Sequence, residues 1–198
     1  MTYHIQCRCG SLRGLLNQPQ RAFHGICYCK DCRAYAKHLG VMSRTHDAQG
    51  GAEFVATQAK YVSFSEGTQH LACLSLSEKG LLRWYAKCCT TPIGGTPRNW
   101  KAPYVGLVHT CLKSDPVAFE RTFPQLQMRV NTGSAIKTPP GLTIKTIVSL
   151  SSLIPRIIGD GITGAYKMTP FFRLPAGEPI SPVTVLSETE RTHAYRST

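Results

Sequence analysis

Three cysteines lie close together near residue 30, at positions 27, 29 and 32. A tight turn of the backbone brings thiols at this C-x-C-x-x-C spacing to one point, and three converging thiolates suit a soft or borderline metal ion such as Zn²⁺. A tetrahedral ion with three protein ligands keeps one position open for water or substrate. Cys27, Cys29 and Cys32 are therefore predicted to bind a metal ion that takes part in chemistry.

Two further cysteine pairs lie on either side of this motif. Cys7 and Cys9 are separated by one residue and followed by Gly10, and Cys88 and Cys89 are adjacent. One pair of this kind is weak evidence for a metal site, but three cysteines within six residues, with two more pairs elsewhere, rarely arise by chance. The pattern predicts a protein that binds one or two Zn²⁺ ions per chain.

The chain has nine cysteines, an odd number, and no apolar stretch precedes the first pair. The lack of a leader-like segment predicts a cytoplasmic protein, whose thiols stay reduced rather than form a disulfide framework. Tight cysteine spacings in that compartment favour metal binding or thiol chemistry. A redox role for the three clustered cysteines is an alternative, and a reversible disulfide formed without metal would reveal it.

The formal net charge of the 198 residues is +12. Seven thiolates and two zinc ions would reduce it to about +9. The basic side chains are spread along the chain, and no lysine- or arginine-rich run marks a basic arm. A basic surface attracts anionic ligands in general, so nucleic acid is a candidate partner that the charge alone does not require.

Short alternating segments separated by turn residues predict a mainly β core. The predicted strands are two within 3–16, which meet at 7–10, and single strands at 21–28, 53–57, 61–64, 71–76, 81–86 and 104–112. Turn residues at 65–68 predict a hairpin between 61–64 and 71–76. A short helix is predicted from Cys32 to Leu39, ending at Gly40.

The character of the sequence changes near residue 119, which divides it into a β domain at 1–118 and a C-terminal extension at 119–198. Apolar residues at helical spacing predict a helix over about 142–158, which Pro155 should kink or divide. This segment is too short and too interrupted to span a membrane. Packing on the sheet, contact in a homodimer and binding to a membrane surface are its three candidate roles. The tail from Pro175 has few helix signals and is predicted to wrap loosely over the domain.

Three groups of residues together resemble the glutathione-dependent formaldehyde-activating enzyme family, which includes the centromere protein V type. They are Cys7-Arg8-Cys9-Gly10, the run from Cys27 to Arg33 with its short helix, and Cys89-Thr90-Thr91-Pro92-Ile93. The resemblance covers about residues 3–112. It implies an Mss4-like fold, a β-sandwich of small antiparallel sheets built around zinc, and this agrees with the predicted strands.

The resemblance also implies two kinds of zinc site. In the family the outer cysteine pairs hold a structural zinc ion with four thiolates, which here assigns Cys7, Cys9 and Cys89 to that ion. The C-x-C-x-x-C motif holds a second zinc ion with three thiolates and one free position, so this motif is the implied open, catalytic site.

The third group departs from the family pattern. The family has C-x-x-C-G before the Thr-Pro segment, whereas here Ala86 replaces the first cysteine and Thr90 replaces the glycine. The neighbouring Cys88 can share an ion with Cys89 only across a turn, because adjacent residues of a straight strand point to opposite faces. Three outcomes remain open: Cys88 is the fourth ligand, His4 is, or the site is empty. Cys88 is the prediction that we carry forward.

The resemblance implies a carbon–sulfur lyase that acts on the adduct of a thiol, such as glutathione, with an aldehyde. A metal ion at the open position would stabilise the thiolate form of an entering thiol. Lys30, Arg33 and Arg83 are candidate cations for the carboxylates of glutathione, but spacing alone does not show this, and an ordinary surface charge is the favoured interpretation of each. The alternative is a non-catalytic zinc module that binds a protein or, in a salt-sensitive way, nucleic acid.

Other chemistry-bearing residues are predicted to be structural. Cys73 and Cys111 stand in apolar alternating runs, so burial as small hydrophobic residues is expected. An ordinary hydrogen-bonded role is expected for His24, and Trp84 is expected in the core rather than against a substrate.

Overall fold

The structure is a computed structural model, and it describes residues 2–112, 115–139 and 144–196. The strands are β1 (Thr2–Gln6), β2 (Arg13–Asn17), β3 (Phe23–Cys27), β4 (Ala52–Gln58), β5 (Val62–Glu66), β6 (Leu71–Ser75), β7 (Leu82–Ala86), β8 (Thr91–Thr96), β9 (Tyr104–Val108), β10 (Met128–Val130), β11 (Phe172–Arg173), β12 (Glu178–Pro179) and β13 (Val183–Val185). The α-helices are α1 (Lys30–His38), α2 (Met42–Thr45), α3 (Pro116–Thr122), α4 (Ile144–Thr163) and α5 (Glu188–Tyr195). The predicted mainly β character is confirmed.

The strands form three sheets. One is an antiparallel sheet of β1, β2 and β5, and another is the small pair of β11 and β12. The third has eight strands in the order β10-β3-β4-β9-β8-β7-β6-β13, antiparallel except for the parallel pair at each edge. Both edge strands of this sheet come from the part of the chain that follows residue 119.

A shared apolar core joins the two larger sheets in a sandwich-like arrangement. Buried side chains reach it from the three-stranded sheet, such as Ile5 and Leu16, and from the large sheet, such as Trp84, Ile93 and Leu107. Burial of one such side chain contributes about 1.5–3 kcal/mol to stability. The alternating burial along β1 and β2 follows from this packing, because only one face of their sheet meets the core.

The strand predictions fail in three places. The segments 61–64 and 71–76 form no hairpin, since β5 pairs with β2 while β6 pairs with β7 in the other sheet. The strand predicted at 104–112 ends at Val108 and is followed by a short 3-10 turn. β8 was not predicted, because its Pro92 and two glycines resemble turn residues. Gly94 is needed there, since a Cβ atom would lie 2.9 Å from the Gly106 carbonyl oxygen of β9.

α4 is the counterpart of the helix predicted at about 142–158. It begins at Ile144 and ends at Thr163, and residues 142–143 lie outside the described part of the chain. The helix continues through Pro155, so the predicted alternative of two shorter pieces is wrong. Both Pro155 and Ser151 are exposed, so water can reach the carbonyl group that the proline leaves without a helical partner. No helix in the described ranges is long and apolar enough to cross a membrane.

The tail is more ordered than the sequence predicts. β13 extends the large sheet beside β6. α5 begins at a capping box in which the Ser187 hydroxyl accepts the Glu190 N–H, while the Glu190 carboxylate accepts the Ser187 N–H. Its buried Ala194 packs with Ala34 of α1. The loose wrapping predicted from Pro175 onward is therefore wrong.

Candidate metal centres

The four-cysteine cluster lies between two hairpin turns. Cys7 and Cys9 are in the turn that joins β1 to β2, and Cys88 and Cys89 are in the turn at 87–90 that joins β7 to β8. Because Cys88 and Cys89 belong to a turn and not to a straight strand, their side chains can face the same point. The structure thus brings Cys88 into the cluster, whereas His4 is exposed on β1 and outside it.

The distances between the sulfur atoms are compatible with four ligands of one metal ion. They are 3.5 Å for Cys7 and Cys9, 3.8 Å for Cys7 and Cys88, 3.3 Å for Cys9 and Cys88, and 3.8 Å for Cys88 and Cys89. All four sulfur atoms lie within 4.8 Å of one another. Zinc–sulfur bonds of about 2.3 Å in a tetrahedron separate the sulfur atoms by about 3.8 Å. The four residues can therefore supply a complete tetrahedral set of thiolate ligands.

Hydrogen bonds at this cluster favour the thiolate form of Cys9, whereas burial raises the pKa of the Cys7 and Cys88 thiols. The Leu12 N–H group donates to the Cys7 sulfur at 3.2 Å. Hydrogen bonding with Ser11, from the side chain and the backbone, lowers the pKa of the Cys9 thiol to about 6. Donors directed at sulfur favour its charged form, which is the form that binds a metal ion.

Each of the two turns contains a residue with left-handed backbone conformation. Gly10 has φ of 78°, which glycine adopts without strain, and Thr90 has φ of 54°, which is unusual for a β-branched residue. Glycine would adopt the backbone conformation of Thr90 without strain.

The three-cysteine cluster lies where β3 ends and α1 begins. Cys27 is the last residue of β3, Cys29 is the N-cap residue of α1, and Cys32 is in the first turn of that helix. The Cys29 sulfur accepts the Cys32 N–H at 3.3 Å, so the C-x-x-C spacing here is that of a helix cap. The three sulfur atoms lie within 4.8 Å of one another. The positive end of the helix dipole favours thiolates at this place.

Side chains from distant parts of the chain complete the surroundings of this cluster. Asn131, which follows β10, donates its amide to the Cys27 sulfur at 3.3 Å, and Arg83 of β7 donates to the Cys32 sulfur at 3.8 Å. Hydrogen bonding among the three thiols, together with burial, raises the pKa of each of them. Three neighbouring thiols of this kind ionise together only beside a cation, so the donor set fits a metal ion.

The three-cysteine cluster opens on a cavity of about 580 Å³, and all three cysteines line it. Lys30, Arg83 and His46 belong to the same wall. The four-cysteine cluster differs, since Cys7 is its single contribution to a second cavity of about 560 Å³. Only the three-cysteine cluster therefore combines an incomplete ligand set with room for a small molecule.

Arg83 links this cluster to the C-terminal helix. Its side chain is only 8% exposed, and its guanidinium group lies 5.2 Å from the centre of the Tyr35 ring. One of its nitrogen atoms is 4.0 Å from a carboxylate oxygen of Asp31, and the other oxygen of that carboxylate accepts the Tyr195 hydroxyl at 2.7 Å. A continuous path of contacts thus runs from α5 through Asp31 and Arg83 to Cys32.

His46 has one ring nitrogen without a partner. The Thr45 hydroxyl donates to the Val41 carbonyl oxygen at 3.0 Å, so at 2.7 Å from His46 Nδ1 it is best placed to accept the Nδ1–H. Nε2 then carries the free lone pair, and it is buried with no hydrogen-bond partner in the described structure. Burial, and secondarily Arg33, lowers the pKa of His46 to about 4, which keeps the ring neutral at pH 7.

The remaining predicted residues lie as follows. Arg33 is buried and donates to the backbone carbonyl groups of Tyr28 and Ser134, so it is neither a surface charge nor free for a substrate carboxylate. His24 is buried, and its Nε2 atom lies 2.7 Å from a carboxylate oxygen of Glu53, which confirms the predicted hydrogen-bonded role. The predicted burial of three further residues is confirmed; they are Cys73, Trp84 and Cys111. Burial raises the pKa of the Cys73 thiol to about 12.

Sequence reasoning did not find Asn131, His46 or Tyr195 as parts of the site. The first and last lie 104 and 164 residues from their partners Cys27 and Asp31. No local pattern distinguishes them, because their role depends on where β10 and α5 dock. The sequence did offer a weak indication for His46, because a histidine in a loop close to the three-cysteine motif could have been considered as part of the site.

Comparison with known proteins gives little further information. No curated protein matches the chain. One solved structure to which the chain is similar is the crystal structure of a Rhodobacter sphaeroides protein that was a Northeast Structural Genomics target. It is 17% identical over 59% of this chain and 94% of that chain, with a TM-score of 0.40. A similarity at this level supports no conclusion about fold or function.

A family profile, in contrast, matches most of the chain, from residue 2 to residue 181. The match includes both cysteine clusters and ends before β13 and α5. The chain belongs to the family described as a family of unknown function, DUF6151.

Proposed function

We propose that this protein is a zinc-binding enzyme related to the glutathione-dependent formaldehyde-activating and centromere protein V-type proteins. Its activity would be that of a carbon–sulfur lyase on a thiol–aldehyde adduct, at the site of Cys27, Cys29 and Cys32. The observation that carries the proposal is that these three thiols converge on the wall of a cavity of about 580 Å³. The Mss4-like identity of the fold and a cytoplasmic location, where nine free cysteines would stay reduced, belong to the same proposal.

The zinc ion would supply a fourth coordination position at which an incoming thiol ionises near neutral pH. The protein's own residues would do the rest. Arg83 and Lys30 place two cations on the cavity wall, and these suit the carboxylates of a glutathione-type thiol. Arg83 is the stronger candidate, since its position is fixed by Tyr35 and Cys32, whereas Lys30 is exposed.

His46 is the candidate proton acceptor in this proposal. It lines the same cavity, it is neutral at pH 7, and its Nε2 lone pair has no partner in the described structure. A neutral imidazole of this kind can accept the proton of a substrate thiol or of the hydroxyl group of a thiol–aldehyde adduct. Nε2 is buried and a pKa of about 4 disfavours the protonated ring, so this role requires that the ligand reach Nε2 and that the bound zinc ion lower the pKa of the ligand's thiol.

The test is the visible spectrum of the cobalt-substituted protein during titration with glutathione. Binding of the thiol to the open site should change the cobalt absorption bands, while S-methylglutathione, which has no free thiol, should not. Cys29→Ser should abolish the response while the serine still caps α1. If the cobalt protein contains metal at the three-cysteine site and glutathione leaves its spectrum unchanged, the enzyme proposal fails.

A second candidate function is a non-catalytic zinc module that binds a protein or nucleic acid. The observation in its favour is the net charge of +12. Binding of a nucleic acid through such charge weakens steeply as salt concentration rises. Fluorescence anisotropy with labelled DNA and RNA at low and high salt tests this candidate, and a folded protein that binds neither at low salt would remove its nucleic-acid form.

A further inference from the structure

One face of α4 is apolar and exposed. Six of its side chains are between 51% and 82% exposed, at helical spacing along one stripe: Ile144, Ile147, Val148, Ile154, Ile158 and Ile162. Met168, shortly after the helix, is 58% exposed. These seven residues, named here the α4 stripe, are most of the large exposed hydrophobic side chains found in the described ranges.

The opposite face of α4 packs against the large sheet. Leu153 is buried in a cluster with Ala56 of the large sheet and Met128 of β10. Thr146 and Ser149 are buried on the same side. The orientation of the helix is therefore fixed by packing, and the α4 stripe is directed away from the sheet as a consequence.

The segment of the chain that contains this helix is strongly basic. Residues 121–177 contain seven basic side chains and a single acidic one, Asp160. Asp160 is buried and does not offset this charge at the surface, since it lies 2.6 Å from Lys60 and also bonds to Gln58. Half of the excess positive charge of the whole chain thus belongs to the segment that carries the apolar stripe.

Aromatic and basic side chains are gathered near the C-terminal end of α4. The Trp100 and Tyr166 rings are 5.0 Å apart, and the Lys101 ammonium group lies 5.8 Å from the centre of the Trp100 ring. Lys167 is exposed beside Met168. Tryptophan, tyrosine and lysine side chains grouped next to an apolar surface are typical of the boundary between lipid chains and headgroups.

We propose that the α4 stripe binds the surface of an anionic lipid bilayer, with the helix lying in the plane of the interface. An apolar helix face within a basic, acid-poor segment has the character of an interfacial helix. A second copy of the chain fits less well, because pairing two stripes would bring together two segments of the same positive charge. The proposal does not depend on the function proposed for the three-cysteine site.

The test is flotation of the metal-loaded, full-length protein with lipid vesicles. The protein should float with vesicles of phosphatidylcholine and phosphatidylglycerol, bind pure phosphatidylcholine vesicles more weakly, and lose the difference at high salt. Ile158→Glu should weaken partitioning at least about tenfold, because it removes one large exposed apolar side chain that the proposal buries in the lipid. Lys167→Gln should weaken binding to the anionic vesicles about fivefold.

Val117→Glu is the matched control, since Val117 is 66% exposed on α3, outside the α4 stripe. It should bind vesicles as the unaltered protein does, and the melting temperature of all variants should be that of the unaltered protein.

Three results overturn the proposal. They are a folded monomer that floats with neither vesicle, binding that survives Ile158→Glu, and a dimer in solution that Ile158→Glu dissociates, which would assign the stripe to a second copy.

Discussion

The two cysteine clusters use the same side chain in opposite ways. The four-cysteine cluster lies between two hairpin turns, with Cys9 and Cys88 exposed, and its four sulfur atoms are close enough to one another to be the four ligands of one metal ion. The three-cysteine cluster lies at a strand end and a helix N-terminus, provides three sulfur atoms, and faces a cavity. Ligand number and an adjoining cavity, not residue type, distinguish a site suited to a structural metal ion from a site suited to a substrate.

The clusters also differ in what supports them. Hydrogen-bond partners of the four-cysteine cluster come from nearby positions such as Ser11 and Leu12. Donors at the three-cysteine cluster come from distant positions, Arg83 and Asn131. Residues of the first kind act on stability together with the turns, whereas residues of the second kind can change the properties of the site and leave the fold intact.

The largest expected difference between the clusters is in stability. Cys88→Ser should remove one metal ion per chain and lower the free energy of unfolding by about 4 kcal/mol or more, because structural zinc contributes binding energy directly to folding. Cys29→Ser should also remove one metal ion but cost far less, since serine keeps the cap of α1. Elemental mass spectrometry and urea unfolding measure the two quantities.

Cys73→Ala is the control for that experiment. Cys73 is buried in the core away from both clusters, so its variant should keep the full metal content and lose only about 1 kcal/mol of stability. Equal destabilisation by Cys88→Ser and Cys29→Ser would show that the clusters have no such division of roles. A protein that is folded and free of metal would remove the zinc prediction for both.

The next largest effect concerns Arg83 and ligand affinity. Arg83→Met keeps most of the side-chain volume and removes the cation, so the cobalt-loaded protein should bind glutathione about tenfold more weakly. Arg98→Met is a suitable control, because Arg98 binds the Ser77 and Gly80 carbonyl groups and does not line the cavity. The titration described above gives the affinity. An unchanged affinity with unchanged metal content would exclude Arg83 from ligand recognition.

The same contrast explains how far the sequence could predict this protein. Both clusters were visible because their cysteines stand close together along the chain, at C-x-C, C-x-x-C and adjacent spacings. The short helix after the motif was visible too, since good helix formers end at Gly40, which has the left-handed φ of 67°. Local features of this kind depend on few neighbouring residues, so the sequence pattern is enough to predict them.

What could not be predicted depends on long-range packing. The pairing of β5 with β2 was hidden, because the turn residues at 65–68 are compatible with a hairpin that the sheets do not use. α5 was missed although its Ser187 and Glu190 form a capping box, since a box alone does not show that a helix docks on α1. Tyr195 became part of the site through that docking.

Tyr195→Phe tests this docked helix, with an effect smaller than that of Arg83→Met. The variant loses the hydrogen bond to Asp31 and keeps the ring, so it should cost about 0.5–1 kcal/mol of stability and weaken glutathione binding by no more than about threefold. Tyr166→Phe, far from the three-cysteine cluster, is the control. A loss as large as that of Arg83→Met would mean that α5 contributes to ligand binding directly.

The smallest expected effect compares the two turns of the four-cysteine cluster. Thr90→Gly should raise the free energy of unfolding by about 1 kcal/mol, because a β-branched residue with φ of 54° is strained and glycine is not. Gly10→Ala should lower it by about the same amount, since φ is 78° at that position. Urea unfolding of the metal-loaded protein measures both changes. If Thr90→Gly destabilises the protein, the threonine side chain contributes more to its turn than its backbone strain costs, and the two turns are not equivalent supports of the site.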